Sequence, residues 1–175
     1  LCLILLPYFL IFLGNHGLLE TDEGRYNEVA WGMFKNKEYI IPKMNGVIFF
    51  DKPILFYWLQ IISFKIFGFS EFSARFFPAI TGVLSCLGLY IFGKKLYSRK
   101  TGFIAALILS TMLYWFCLSH YSNMDIEVAS WISLSLLSFI TGINKYNKKL
   151  VLLSYIFAAL AFLTKGLIAV AFPVI

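Results

Sequence analysis

The chain has 175 residues, of which 60% are hydrophobic and 14% charged, and its mean hydropathy is +0.80. A soluble domain of this length is about half apolar and about a quarter charged, so the composition excludes an ordinary soluble domain and indicates a membrane protein. The formal net charge of +6 does not indicate nucleic-acid binding, because many of the basic residues lie in two short segments, 94–100 and 145–149, between apolar runs.

Apolar runs of the length needed to cross a bilayer recur along the chain, since about 20 apolar residues are needed and about 17 suffice. The first run lacks the basic start and the small-residue cleavage site of a signal peptide, which favours a spanning helix. All three cysteines lie in such runs, which argues against a disulfide framework. Because the chain begins without Met and ends inside an apolar run, we expect 1–175 to be the N-terminal part of a single transmembrane domain, with the rest of the protein missing. The predicted spans are 1–17, 76–93, 101–118, 128–143, 150–164 and the start of another at 166–175, with an outer loop at 20–71.

The positions of the charges predict which side of the membrane each loop faces. The loop after the second span and the loop after the fourth together contain seven basic residues and no acidic residue. Short loops rich in Lys and Arg face the cytoplasm, so both loops are predicted on that side. All nine acidic residues then lie on the other side, seven in 20–71 together with Asp125 and Glu127.

The outer loop is predicted to carry two amphipathic helices that lie on the membrane surface. Thr21 can cap the first helix, and two acidic residues follow in its first turn, where the helix dipole favours them. Pro53 begins the second helix, in which Tyr57 and Trp58 are suited to the membrane interface. The apolar face of the first helix is predicted to consist of Tyr26, Val29, Ala30, Met33 and Phe34.

Two segments of the outer loop contain candidates for chemistry. Asp22 shares a helix face with Arg25 and Tyr26, because the three stand at i, i+3 and i+4. This arrangement fits either a reactive carboxylate or a local salt bridge. Asp51 and Lys52 lie between two phenylalanines and the second helix, where a lysine fits either a phosphate site or a solvated turn.

Two further candidates lie later in the chain. His120 and Asp125 are in the short outer connection between the third and fourth spans, where ionisable groups are costly enough to suggest function. A lone His in a polar turn is more often structural, so Asp125 is the stronger candidate. Lys165 is the one charged residue in 150–175, and it lies ~22 Å along the helix from Leu150, near the outer interface. Snorkelling of its side chain is the alternative explanation.

Five segments of the chain together resemble a known family. The resemblance is to the membrane glycosyltransferases of the GT-C fold, and most closely to the bacterial aminoarabinose transferases and their relatives in the protein O-mannosyltransferase superfamily. It implies an all-α, polytopic transmembrane helix bundle. In chain order, the segments that carry it are TDEGRY, FFDKPILFYW, FGFSEFSARFFPAI, YSNMD and LTKGLIAV.

The resemblance also implies a function. Proteins of this superfamily are integral membrane enzymes that transfer a sugar, a pentose or a hexose, from a polyprenyl-phosphate donor to a lipid or protein acceptor. The reaction takes place at the non-cytoplasmic face, so a bacterial member would lie in the inner membrane with its active site facing the periplasm. Its partners would be the lipid-linked donor, the acceptor and the surrounding membrane lipid.

The family motifs match this chain residue by residue. The acid of the first outer loop matches Asp22, with Arg25 and Tyr26 beside it, and the acid after the third span matches Asp125. In the acid-Lys-Pro motif the lysine, here Lys52, is associated with the lipid phosphate. The acid of that motif is associated with a divalent metal ion in some members and matches Asp51.

Three positions depart from the pattern of the aminoarabinose transferases. Asp51 stands where that group usually has Glu, which argues against a metal role for it. Ile126 follows the second acid where a proline is usual, and Glu127 fits no family pattern. These departures favour the broader superfamily over aminoarabinose transfer itself.

The chemistry expected of such an enzyme fits the candidate residues. Direct displacement at the anomeric carbon needs a carboxylate to position or deprotonate the acceptor, and Asp22 can supply one. The departing polyprenyl phosphate needs cations, which Lys52, Arg25 and Lys165 can provide. The alternative function is that of a non-enzymatic transporter or membrane-assembly subunit. Transporter charges lie near the bilayer midplane on interrupted helices, whereas the second and third spans contain no charge, which disfavours that alternative.

Overall fold

The computed structural model describes residues 1–19 and 21–174. Glu20 and Ile175, which belong to the predicted outer loop and the predicted last span, lie outside the described residues. The described chain is mostly helical and contains almost no sheet, which confirms the predicted all-α fold class. The helices are α1 (Cys2–Leu10), α2 (Asp22–Asn36), α3 (Leu55–Phe67), α4 (Glu71–Leu96), α5 (Arg99–Thr111), α6 (Leu113–Ser119), α7 (Met124–Asn144), α8 (Lys148–Lys165) and α9 (Ile168–Val174). A short antiparallel hairpin, β1 (Lys43–Met44) and β2 (Val47–Ile48), lies between α2 and α3.

Two helices, α4 and α7, are each long and apolar enough to cross a membrane. The predicted spans 76–93 and 128–143 lie within them. The predicted spans 1–17, 150–164 and 166–175 fall on the shorter α1, on α8 with its terminal lysines, and on α9. The division of the chain into these spans remains a prediction.

The predicted span 101–118 is not one straight helix. α5 and α6 are apolar enough to form a span only when taken together, and they are bent by 66° around Met112, whose ψ of 118° is extended. The hydroxyls of Ser110 and Thr111 donate to the carbonyl of Leu107, 2.8 and 3.0 Å away. Such bonds compete with the helical ladder and often bend a helix.

The helices of the outer loop pack on each other and on the bundle. One core cluster contains the apolar face of α2 and four buried residues of α3, together with Ala74 of α4 and Met124 of α7. The predicted apolar stripe of α2 is therefore packed largely against protein. α3 begins at Leu55, two residues after the predicted Pro53. Thr21 makes no capping hydrogen bond with its side chain and has a φ of 75°, so the predicted cap is wrong.

The spanning helices approach each other closely at glycines. A Cβ on Gly93 of α4 would lie 2.9 Å from the Cα of Gly102 in α5, and a Cβ on Gly88 would lie 2.1 Å from Cδ2 of Leu134 in α7. Small residues of this kind let membrane helices pack at short distance. The tight packing holds α4 against its neighbours, and the N-terminal end of α4 supports the candidate site.

Candidate active site

The candidate residues meet because of how the helices are connected. Asp22 begins α2, and Asp125 lies in the first turn of α7. α8 follows α7 after a short turn and packs along it, so the last residue of α8, Lys165, lies at the same end as Asp125. The loop before α3 brings Lys52 to this end as well, because a Cβ on Gly166 would lie only 3.7 Å from Cγ of Pro53.

Each candidate carboxylate forms an ion pair with a candidate cation. Each of the side chains involved is between 23% and 42% exposed, so the pairs lie at the surface of the site. Pairs of this kind stabilise a fold by only about 0.2–1 kcal/mol and are cheap to exchange for other partners. The pairs are Arg25 Nη2 with Asp22 Oδ1 (2.9 Å), Lys52 Nζ with Asp51 Oδ2 (3.2 Å), and Lys165 Nζ with Asp125 Oδ1.

The candidate acids belong to segments that meet near Tyr26. Burial raises the pKa of the Tyr26 phenol, and the charges of Asp22, Asp51 and Asp125 raise it further, while Arg25 lowers it. Contacts between the segments show that they lie close together, because the N–H of Ser122 donates to Glu23, the neighbour of Asp22, and Pro53 lies beside Gly166, the neighbour of Lys165. The structure therefore brings together acidic groups from three separate segments.

Tyr57 lies behind Tyr26, with its ring centroid 6.5 Å from that of Tyr26. The side chain is fully buried in protein, so the predicted position at the membrane interface is wrong for this residue. Burial raises the pKa of its phenol above the usual range, and nearby Tyr26 and Asp51 add to that effect. Its buried hydroxyl has no hydrogen-bond partner among the described residues.

A cavity of about 530 Å³ adjoins the Lys165–Asp125 pair. Apart from this pair, its walls are mainly apolar and come from α6, α7 and the segment after α8, including Tyr114 and Ile168. A mostly apolar cavity with a few polar groups suits a ligand that has one charged end and an apolar remainder.

The described residues contain no cluster of candidate metal ligands. Asp51 is paired with Lys52, and residues 1–19 and 21–174 contain no group of three or more His, Cys, Asp or Glu that could hold a metal ion. Mg²⁺ and Ca²⁺ need several oxygen ligands. The metal role of Asp51 stays a prediction.

His120 has a structural role in the described chain. Its ring lies 4.1 Å from the ring of Phe116, measured between centroids. Nδ1 lies 2.9 Å from the carbonyl oxygen of Phe116, and Nε2 lies 3.2 Å from that of Ile11. The histidine thus connects the end of α1 to α6, in keeping with the structural interpretation of a lone His in a turn.

The sequence analysis did not identify Glu23 and Arg75, the two charged residues of the site that form the most hydrogen bonds. Both side chains are completely buried, and Arg75 donates from Nε and Nη2 to the two carboxylate oxygens of Glu23, at 2.8 Å each. Burial raises the pKa of the Glu23 carboxyl, but the hydrogen bonds from Arg75 and from the backbone N–H groups of Ser122 and Leu19 outweigh it and hold the pKa below its usual range. The available signal was a lone arginine in the apolar segment FSARFF, because a buried Arg is almost always paired.

The family model described as dolichyl-phosphate-mannose-protein mannosyltransferase matches residues 51–175, which is more than half of the chain. The chain belongs to this family. The segment Asp51-Lys52-Pro53 lies at the start of the matched region, and Asp125 and Lys165 lie inside it. Asp22, Arg25 and the buried Glu23 precede it.

Curated relatives of this chain include two arabinosyl transferases that are each 33% identical to it. One is the undecaprenyl phosphate-alpha-4-amino-4-deoxy-L-arabinose arabinosyl transferase of Wigglesworthia glossinidia brevipalpis, which aligns with 98% of this chain and 31% of its own length. The other is the arabinosyl transferase 2 of the same name from Proteus mirabilis (strain HI4320), which aligns with 100% of this chain and 32% of its own length. The chain therefore spans about a third of the length of the curated relatives it matches.

Two solved structures share the fold of this chain. ArnT from Cupriavidus metallidurans, in the apo state and bound to undecaprenyl phosphate, superposes with a TM-score of 0.93 and is 23% identical. The match covers 98% of this chain and 33% or 32% of those chains. It confirms the polytopic helical fold predicted from the sequence.

Proposed function

We propose that the chain is part of an integral membrane glycosyltransferase that transfers a sugar from a polyprenyl-phosphate donor to a lipid or protein acceptor. The observation that carries the proposal is that three partly exposed acid–base pairs, contributed by separate segments, lie at one end of the bundle. A phosphate-linked sugar needs cations for its leaving group and a carboxylate for its acceptor. The printed names of the curated relatives, which describe transfer from an undecaprenyl phosphate sugar, support the same chemistry.

In the proposed reaction, an acceptor hydroxyl attacks the anomeric carbon of the donor sugar. A new carbon–oxygen bond forms to the acceptor, and the bond from the anomeric carbon to the phosphate oxygen breaks. Asp22 takes the proton of the attacking hydroxyl, and Asp125 orients the acceptor or shares this role. The polyprenyl phosphate leaves with the electron pair of the broken bond, and Arg25, Lys52 and Lys165 stabilise its charge.

The ion pairs explain how one site can serve both donor and acceptor. Without substrate, each cation is neutralised by a neighbouring carboxylate. The donor phosphate takes over the cations because it offers strong anionic acceptors, and the carboxylates are released to bind the acceptor hydroxyl. The exchange costs little because the pairs are partly exposed.

The site lies at the end of the bundle away from the Lys-rich turns between α4 and α5 and between α7 and α8. By the positive-inside rule these turns face the cytoplasm, so the site belongs to the non-cytoplasmic face, which is the periplasmic face of a bacterial inner membrane. Residues 1–175 form one part of a larger transmembrane domain, in keeping with relatives about three times as long.

The test is transfer by the full-length protein in liposomes, supplied with undecaprenyl phosphate carrying either radiolabelled aminoarabinose or radiolabelled mannose. The proposal expects label to move from one of the two donors to a lipid or peptide acceptor, and the donor that works identifies the sugar. Folded protein that neither binds nor consumes either donor would overturn the proposal. Its alternative, a transporter or assembly subunit, would then be the better assignment.

A further inference from the structure

Five polar side chains with no exposed surface lie directly beneath the candidate site. They come from α2, α3, α4 and the connection between α6 and α7. They therefore link α2, which carries Asp22, to the segment that leads into α7, which carries Asp125. A buried polar group is costly unless it is hydrogen-bonded, so a group of five has to be explained. The five are Glu23, Asn27, Gln60, Arg75 and Ser122.

Arg75 and Glu23 form the centre of this network and use their full bonding capacity. Arg75 has five N–H donors. Two bond Glu23, and three donate to the carbonyl oxygens of Leu13, His16 and Gly17, at 2.9 Å each, in the segment between α1 and α2. The Glu23 carboxylate accepts two further bonds, from the N–H groups of Leu19 and Ser122. The pair thus ties α4 to the start of α2.

Ser122 extends the network to the segment that carries Asp125. Its N–H donates to Glu23 Oε1 at 2.7 Å, and its hydroxyl accepts from Asn27 Nδ2 at 2.9 Å and from Gln60 Nε2 at 3.1 Å. Gln60 also donates to the carbonyl of Ala74, which has no helical partner because residue 78 is a proline. Ser122 therefore bonds to both outer-loop helices.

We propose that Glu23, Arg75 and Ser122 are positioning residues that set the separation of Asp22 and Asp125. Glu23 is the neighbour of Asp22 in the chain, and Ser122 is followed directly by Asn123, whose side chain accepts from the N–H of Asp125 at 2.8 Å. A continuous path of covalent and hydrogen bonds thus links the two carboxylates through buried groups. The inference rests on the proposed function, because it assigns a role relative to the carboxylates named there.

A positioning role predicts a loss of turnover that a purely structural role does not. A displacement of about 1 Å in a catalytic group can cost roughly a hundredfold in rate. Loosening the network should therefore lower kcat while leaving the binding of the donor, which depends on the cations, almost unchanged. A structural role would reduce the amount of folded protein without changing the kcat of the folded fraction.

The experiment compares Glu23→Gln and Arg75→Lys in the full-length enzyme, with kcat and donor KM measured on folded, membrane-inserted protein. Both variants keep the approximate size of the side chain and remove part of the bonding. We expect kcat to fall roughly ten- to a hundredfold and the donor KM to change by less than about threefold. Ser122→Ala keeps the backbone bond to Glu23, so a smaller loss is expected, and it serves as the test if the other variants do not fold.

Two controls and one double variant separate positioning from other effects. Glu28→Gln, on the exposed side of α2, and Ser138→Ala, a buried hydroxyl bonded only within α7, should keep the kcat of the wild type. Combined with Asp22→Asn, Glu23→Gln should cause little further loss, because the group that it positions is already disabled. Wild-type kcat in the folded network variants, or an undiminished loss on top of Asp22→Asn, would overturn the inference. Wild-type turnover in both Asp22→Asn and Asp125→Asn would instead overturn the proposed catalytic assignment.

Discussion

Asp22 and Glu23 are neighbours in the chain, yet they belong to two different kinds of ion pair. Glu23 pairs with Arg75 at zero exposure and accepts four hydrogen bonds. The side chains of Asp22 and Arg25 are each more than a third exposed, and one hydrogen bond of 2.9 Å joins them. In a helix, consecutive residues point about 100° apart, so one acid of the motif faces the bundle and the other faces the site.

This comparison separates groups that hold the site from groups that react in it. Removing one partner of a buried pair leaves an uncompensated charge and costs about 3–5 kcal/mol. An exposed pair contributes about 0.2–1 kcal/mol, so its members can exchange partners when a substrate arrives. Burial thus indicates which acid of the motif holds the site in place and which can take part in chemistry.

The largest effect is expected when the buried pair is broken. Arg75→Met removes the guanidinium and leaves the Glu23 carboxylate and three carbonyl groups without their partner. We expect a loss of about 3–5 kcal/mol in stability, seen as a lower thermal midpoint of detergent-solubilised protein and a smaller folded fraction. Arg99→Met, at the exposed start of α5, is the matched control and should change little. An unchanged midpoint for Arg75→Met would contradict the assignment of the pair as structural.

The next effect is expected on turnover. Asp22→Asn keeps the shape of the side chain and removes its ability to accept a proton, a contribution typically worth about 10²–10⁴ in rate. Donor affinity should be almost unchanged, and so should the thermal midpoint, because the Asp22–Arg25 pair is exposed. Turnover and donor binding are measured separately on the full-length enzyme. If the folded variant turns over at the wild-type rate, Asp22 is a residue of the first helical turn without a catalytic role.

The exposed candidate residues of the site could be predicted from the sequence, but the buried Glu23–Arg75 pair could not. The helical class and the convergence of Asp22, Lys52, Asp125 and Lys165 at one end follow from apolar run lengths and from the alternation of spans, which are local properties. The bond between Glu23 and Arg75 joins residues 52 positions apart. Nothing in the local pattern of either residue indicates its partner, because such a contact depends on how α2 packs on α4.

The bend at Met112 was missed for a different reason, which is local. Hydropathy treats Ser110 and Thr111 as mildly polar residues in an apolar run, whereas their hydroxyls bond to carbonyls of the preceding turn. Tyr57 was placed at the membrane interface because its amphipathic ring suits that position, but α2 covers it. Local side-chain hydrogen bonds decided the first case, and tertiary packing decided the second.

A moderate effect is expected on donor binding. Lys52→Ala removes a cation from the proposed phosphate site, and a hydrogen bond to a charged group is worth about 1.5–3 kcal/mol, or roughly a ten- to hundredfold loss of affinity. Lys52→Arg should restore part of the affinity, because it keeps the charge but changes its geometry. Binding is measured with undecaprenyl phosphate itself. Equal affinity in wild type and Lys52→Ala would place the phosphate elsewhere.

A smaller effect is expected from acidification, and its sign follows from the pKa of Glu23. Hydrogen bonds lower this pKa in the folded protein. The stability that Glu23 contributes is therefore complete above its unfolded pKa of about 4.3 and is lost as the pH falls through the still lower folded pKa. Between pH 5 and pH 3, the thermal midpoint of the wild type should fall more steeply than that of Glu23→Gln. Glu28→Gln should follow the wild type, and parallel curves for wild type and Glu23→Gln would contradict the prediction.

The smallest effect on stability is expected from replacing Glu127, a third acid to compare with Asp22 and Glu23. Its side chain is as buried as that of Glu23, but neither carboxylate oxygen has a hydrogen-bond partner among the described residues. A buried polar group without partners opposes folding, and replacing it with an apolar residue of similar volume is often neutral or stabilising. Glu127→Leu should therefore raise the thermal midpoint slightly, by a gain on the order of 1 kcal/mol, while Glu23→Leu lowers it. If Glu127→Leu destabilised the full-length protein as strongly as Glu23→Leu, the Glu127 carboxyl would have a polar partner outside residues 1–19 and 21–174, and burial without bonds would no longer distinguish the two acids.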